Sequence, residues 1–144
     1  MTDGVDPFDL ARFVGAQAEA YAPALAELRA GRKQTHWIWY VLPQLKALGR
    51  SHLANFYGIA SLDEARAYLA HPILGARLRE CVQAIGTHAG KLSAEQILGP
   101  VDALKYRSCL TLFKAAEGSA GSGFAQALDD FYKGREDELT LALL

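Results

Sequence analysis

The stretch from Val101 to Ala116 constrains the fold more than any other, because as a helix it is apolar around most of its circumference. Tyr106, Cys109, Leu110 and Phe113 share one arc, and Val101, Leu104, Leu112 and Ala115 share its neighbour. Only Ala103, Arg107 and Lys114 make a solvent stripe. Such a helix needs neighbours on several sides, which predicts a central element with others packed around it. Lys105, Ser108 and Thr111 fall inside or at the edge of the apolar arcs. A lysine in that position needs an acid, a ligand or a path to water. Asp102 offers a local ion pair, and Ser108 and Thr111 can bond back to carbonyls of the preceding turn.

Punctuation cuts the rest of the chain into short helical lengths. Asp6 and Pro7 suit a cap and a first helical position, with Leu10, Phe13, Val14 and Gln17 following at helical spacing. A second helix is expected from Pro23 through Leu28, closed by Gly31. Ser61-Leu62-Asp63-Glu64 is a capping box opening a helix through Leu69. Pro72 starts a longer helix with a stripe of Leu74, Leu78, Cys81, Val82 and Ile85. Ser93-Ala94-Glu95-Gln96 is a second capping box, for a short helix ending near Gly99, and Pro100 opens the central helix. Gly118–Gly123 is expected to be a flexible loop, followed by a helix from Phe124 to Tyr132 with Leu128 and Phe131 inward. The tail Leu139 to Leu144 is too apolar to be left in water and is expected to dock as a helical turn. The expected fold is all-α: a compact single-domain array of about seven or eight short helices over residues 1–144, with no repeat, linker or heptad pattern.

Charge and residue counts exclude several functions. A formal net charge of −1 gives no global field for nucleic acid or anionic lipid. Every apolar run is interrupted by charges or helix breakers, so no membrane association is expected. The start, Met1-Thr2-Asp3-Gly4-Val5-Asp6, lacks the basic-then-apolar order of a signal peptide. Cys81 and Cys109 lie in apolar patterns and are read as reduced, which points to the cytoplasm. Neither they nor His36, His52, His71 and His88 show paired metal-ligand spacing, so no metal is expected. There is no phosphate loop, dinucleotide fingerprint or nucleophile elbow, and no cofactor is expected.

Chemistry-bearing residues concentrate in Gly31–Gln44. The run Arg32-Lys33-Gln34-Thr35-His36-Trp37-Ile38-Trp39-Tyr40-Val41-Leu42 ends at Pro43 and lacks strand alternation. With helices on both sides it is read as a short buried helix. Aromatic clusters of this kind more often pack a core than hold a ligand. Even so, Trp37, Trp39 and Tyr40 can stack, Arg32 and Lys33 can hold an anion, and His36 can carry a proton.

Taken in order, several motifs resemble the family known as domain of unknown function 1810. They are Asp6-Pro7-Phe8 with Arg12-Phe13-Val14 and Gln17, then Gly31 through Gln44, then Ser61 through Ala65 with Tyr68-Leu69. His71 through Gly75 with Arg77-Leu78, and Asp102 with Lys105-Tyr106, Ser108 and Thr111-Leu112-Phe113, complete the set. The resemblance spans nearly the whole chain and implies a small, mainly helical bacterial protein. It implies no activity.

Two functions of different kinds follow. In the first, a pocket between residues 31–44 and 101–116 takes a small anionic or nucleotide-like ligand. His36 and Lys105 are its candidate catalytic residues, and Lys33, Trp37, Trp39, Gln44, Ser108 and Thr111 its candidate binding residues. In the second, a non-catalytic module binds a protein partner through a surface of Trp37, Trp39, Arg32 and Lys33. A nucleic-acid reader has only Arg32-Lys33 beside aromatics in its favour.

Overall fold

Most of the helix punctuation is realised in the computed structural model, which describes residues 6–118 and 123–144. The N-terminal segment through Val5 and the centre of the Gly118–Gly123 loop lie outside the described residues. Among those described there are nine α-helices and no strands: α1 Ala11–Ala30, α2 Ile38–Val41, α3 His52–Phe56, α4 Leu62–Ala70, α5 Leu74–Gly86, α6 Ala94–Leu98, α7 Pro100–Glu117, α8 Gly123–Tyr132 and α9 Glu138–Leu143. A 3-10 turn, Lys46–Leu48, precedes α3.

The two helices expected before Gly31 are one. The Asp6 carboxylate accepts from the amides of Leu10 and Ala11 at 2.8 and 2.9 Å, so it caps a start that lies later than Pro7. Pro23 sits within α1 rather than opening a new helix. Its ring and Glu19, whose carbonyl loses its helical donor, are both exposed, so water can satisfy the freed carbonyl. Gly31 closes α1 at φ 76°, a left-handed conformation that glycine adopts without steric cost.

Capping chemistry differs between the two boxes. Around Ser93 both reciprocal bonds form, with Gln96. At Ser61 only half of the box is present. The Ser61 hydroxyl accepts from the Glu64 amide, but the Glu64 carboxylate accepts from the Ala60 amide at 2.9 Å and pairs with Arg12 at 2.8 Å. Arg12 also donates to the carbonyls of Phe56 and Gly58 and so ties α1 to the α3–α4 connection. His71 caps α5: its Nδ1 accepts from the amides of Ile73 and Leu74 at 3.1 and 3.2 Å.

The central helix is α7, which packs against α4, α6, α8 and α9. Its buried residues include Tyr106, Cys109, Leu110, Leu112 and Phe113. The solvent stripe is rotated from the expected one. Ala103 is buried, and its carbonyl accepts from the Tyr132 hydroxyl, whereas Val101 and Leu104 are exposed. Neighbours, not periodicity, set this orientation: Tyr132, at the end of α8, meets the first turn of α7 at Ala103. The tail forms α9 as expected, but it docks through Thr140 while Leu139, Leu141, Leu143 and Leu144 stay exposed. Phe131 is only half-buried.

Residues 44–60, given no element from sequence, cross beside α7. The amide of Ile59 donates to the Gln44 carbonyl at 2.9 Å and that of Lys46 to the Ile59 carbonyl at 2.8 Å. This single parallel bridge pairs Leu45 with Ile59. Gly58 permits the approach, since a Cβ there would lie 2.4 Å from the Lys46 Cα.

Candidate functional site

The segment between α1 and α2 is fastened by one carboxylate. Glu27 Oε1 accepts from the Gln34 amide at 2.8 Å, the Thr35 amide at 3.0 Å and the Trp37 indole N–H at 3.0 Å. Its Oε2 accepts from the Thr35 hydroxyl at 2.6 Å. Burial alone would raise the Glu27 pKa, but these donors outweigh it and bring it down to about 2. Trp37 is therefore a core residue, 2% exposed, rather than a stacking platform. Lys33 is held with it. Its ammonium lies 4.9 Å from the Trp37 ring centroid and 2.9 Å from Asp102 Oδ2, with 6% of the side chain exposed. His36 is exposed, and its carbonyl accepts from the Tyr40 hydroxyl at 3.3 Å.

The second half of the same segment does something else. Beyond α2 the chain turns along α7, and between them opens a cleft of about 620 Å³. Trp39, Gln44, Lys105 and Ser108 line it, which joins four of the residues singled out from sequence. Lys33, His36, Trp37 and Thr111 are not among its lining residues. The Lys105 ammonium stands 5.6 Å from the Trp39 ring centroid, and its contact with Asp102 is long, 3.9 Å. Lys33 already holds that carboxylate more closely, and 32% of the Lys105 side chain remains exposed, so its charge is only loosely neutralised within the chain. Gln44 turns its amide N–H to the Leu42 carbonyl and leaves its carboxamide oxygen without a bond to the described residues.

Ser108 and Thr111 build the far wall through Asp137, the N-cap of α9. Thr111 donates to the Arg107 carbonyl at 2.8 Å and accepts from the Asp137 amide at 2.9 Å. Asp137 Oδ2 accepts from the Thr140 amide at 3.0 Å, the Thr140 hydroxyl at 2.5 Å and the Ser108 hydroxyl at 3.1 Å. Burial works to raise the Asp137 pKa, but these bonds, aided by Arg107, lower it, so the group is an anion at neutral pH. The back-bond expected of Thr111 is thus present, together with a second task that the local sequence did not show.

Arg107, expected in a solvent stripe, lines the cleft instead. Its Nη2 is 3.6 Å from Asp137 Oδ1, and its Nε is buried with no acceptor. The Trp39 indole N–H is likewise buried and unpartnered. Two cleft residues therefore carry N–H donors without acceptors, an unfavourable arrangement unless something completes it. Sequence reasoning also missed Arg50, Tyr57, Asp137 and Leu139. Asp137, three residues before Thr140 at the start of an apolar run, carried the signal of a helix N-cap. The others lie on elements with no periodicity to read.

No group of acidic, histidine or cysteine side chains with metal-holding geometry occurs among the described residues. No helix among them is long and apolar enough to cross a membrane. Cys81 and Cys109 are buried free thiols, both pushed up by burial, Cys81 to about 12, which leaves neither a nucleophile near neutrality.

The chain belongs to the family described as Protein of unknown function (DUF1810), whose model matches residues 7–144. It is similar to a conserved hypothetical protein, Rv1873 from Mycobacterium tuberculosis, whose crystal structure has been solved. Identity is 52%, the match covers 96% of this chain and 98% of that one, and the TM-score is 0.92. No curated protein matches the chain significantly.

Proposed function

We propose that this chain, as a member of that family, binds a small anionic ligand with a planar part in the cleft between residues 39–58 and α7. The observation that carries this reading is the open pair of Lys105 and Trp39, a loosely neutralised ammonium above an aromatic face at the cleft wall. Arg50 and Arg107 add positive charge, and the acid among the lining residues, Asp137, is already spent on α9 and Arg107. Gln44 and Tyr57 supply polar and aromatic surface beside it. Catalysis by His36 and Lys105 would need both at the cleft; of the two, only Lys105 lines it. Burial of Trp37 weighs against a protein-docking surface built on both tryptophans, since one of them is withdrawn.

A thermal-shift screen against nucleotides, sugar phosphates and organic acids tests the reading. A ligand at a hundredfold over its dissociation constant stabilises the fold by about 2.7 kcal/mol. Lys105→Ala should abolish the shift while the far-ultraviolet dichroism stays unchanged. A shift that survives Lys105→Ala, or a screen in which no anion binds, would remove the proposal.

A further inference from the structure

The cleft is not uniformly polar. Its cations are Lys105 and Arg107 on α7 and Arg50 ahead of α3, and beside them it carries two leucines from different helices, Leu104 and Leu139, which are 62% and 67% exposed. Leucines so open to water, on a wall that also offers Leu45 and Leu48, gain most from an apolar cover. A helix N-cap fixes Leu139 in place, since Asp137 and Thr140 bracket it and both are bound to α7 or to each other. The apolar lip is thus a built part of the wall rather than a loose tail.

The charge balance of the same wall limits the head group. Of its cations, Arg107 is shared with Asp137 at 3.6 Å, and Arg50 lies exposed. Lys105 is the cation held against an aromatic face, 5.6 Å from the Trp39 ring centroid, and its only ion pair among the described residues, with Asp102 at 3.9 Å, is long. A single loosely paired ammonium beside an aromatic face suits one carboxylate attached to an apolar body. A polyphosphate needs more: the cleft has no glycine-rich phosphate loop, and the fixed Asp137 carboxylate would oppose a second or third negative charge.

Resting on the anion-binding reading above, we infer that the ligand is an amphiphilic monoanion. Its carboxylate lies at Lys105 and its aromatic or aliphatic body passes over Trp39 and out between Leu104 and Leu139. This deepens the proposed function by naming the ligand class and by giving the exposed leucines a purpose.

Calorimetric titration of the whole chain with 2-naphthylacetate, decanoate, the uncharged 2-naphthylethanol, adenosine monophosphate and inorganic phosphate tests it. The two carboxylates should bind, and the uncharged alcohol should bind at least tenfold more weakly than naphthylacetate. Lys105→Met, which keeps the stem and removes the charge, should weaken naphthylacetate at least tenfold. Leu139→Ser should weaken it severalfold while leaving phosphate unaffected; both side chains are open enough to change without unfolding the domain. Adenosine monophosphate binding more tightly than either carboxylate, and insensitive to Leu139→Ser, overturns the amphiphile but leaves the anion site standing. Failure of every anion overturns both.

Discussion

Two lysine–tryptophan pairs share one aspartate, and they have opposite fates. Lys33 over Trp37 is closed: the ammonium meets Asp102 at 2.9 Å, and the indole N–H is bonded to Glu27. Lys105 over Trp39 is open: the ammonium is 3.9 Å from the same Asp102, and the indole N–H has no partner. Residue types are alike, and the ammonium–ring distances are close, 4.9 and 5.6 Å. What differs is whether a carboxylate from a neighbouring helix completes the polar groups. The lesson is that an aromatic–basic motif becomes structure where its donors are satisfied within the chain and a candidate site where they are not.

The sharpest way to break this contrast is to truncate each indole. Trp37→Ala should cost about 4 kcal/mol, because it empties a sealed site, whereas Trp39→Ala should cost roughly half as much. Chemical denaturation of both variants measures this, and equal losses would erase the distinction between core and cleft. Next in size is Glu27→Ala, which strips four hydrogen bonds from the 34–37 turn and should cost about 3 kcal/mol.

Glu27 also makes the closed pair sensitive to acid. Its folded pKa is about 2 against an ordinary 4.5, so the unfolded chain binds the extra proton first. The stabilisation is full above 4.5 and is lost as pH falls toward about 2. Asp137, lowered from 3.8, works in the same direction at the far wall. Urea midpoints of the native protein should therefore fall across that window, and those of Glu27→Ala should fall less steeply. Parallel curves would show that the carboxylate is not the fastener.

The smallest expected difference lies between the lysines. Lys33→Met should destabilise by about 2 kcal/mol, since it takes the close partner from a half-buried Asp102. Lys105→Met should change stability by less than about 0.5 kcal/mol. A larger loss at Lys105 than at Lys33 would invert the assignment of structural and open pairs.

Much of this architecture is written locally. Gly31, Ser93 with Gln96, and Pro100 each mark a helix end that the structure keeps. Pro23 misled, because a proline on a hydrated helix face breaks no bond that water cannot replace. Ala103 and Arg107 misled for another reason: a helix enclosed on several sides has no single moment to orient it. Residues 45–60 carried no signal of an element. They are held by a bridge between Leu45 and Ile59 and by Arg12, far off in sequence.

The same division runs through the site. The sequence by itself determined that the chain is helical, that α7 lies at its centre, and that Lys105 and Ser108 are polar groups set in an apolar pattern. Caps and periodicity act over a turn or two, so they are legible residue by residue. Only the tertiary structure decided which lysine is neutralised and which tryptophan is sealed. It also decided that Ser108 answers to Asp137, 29 residues away. Those outcomes depend on which carboxylate arrives from another helix, and burial by distant neighbours leaves no local trace in the order of the amino acids.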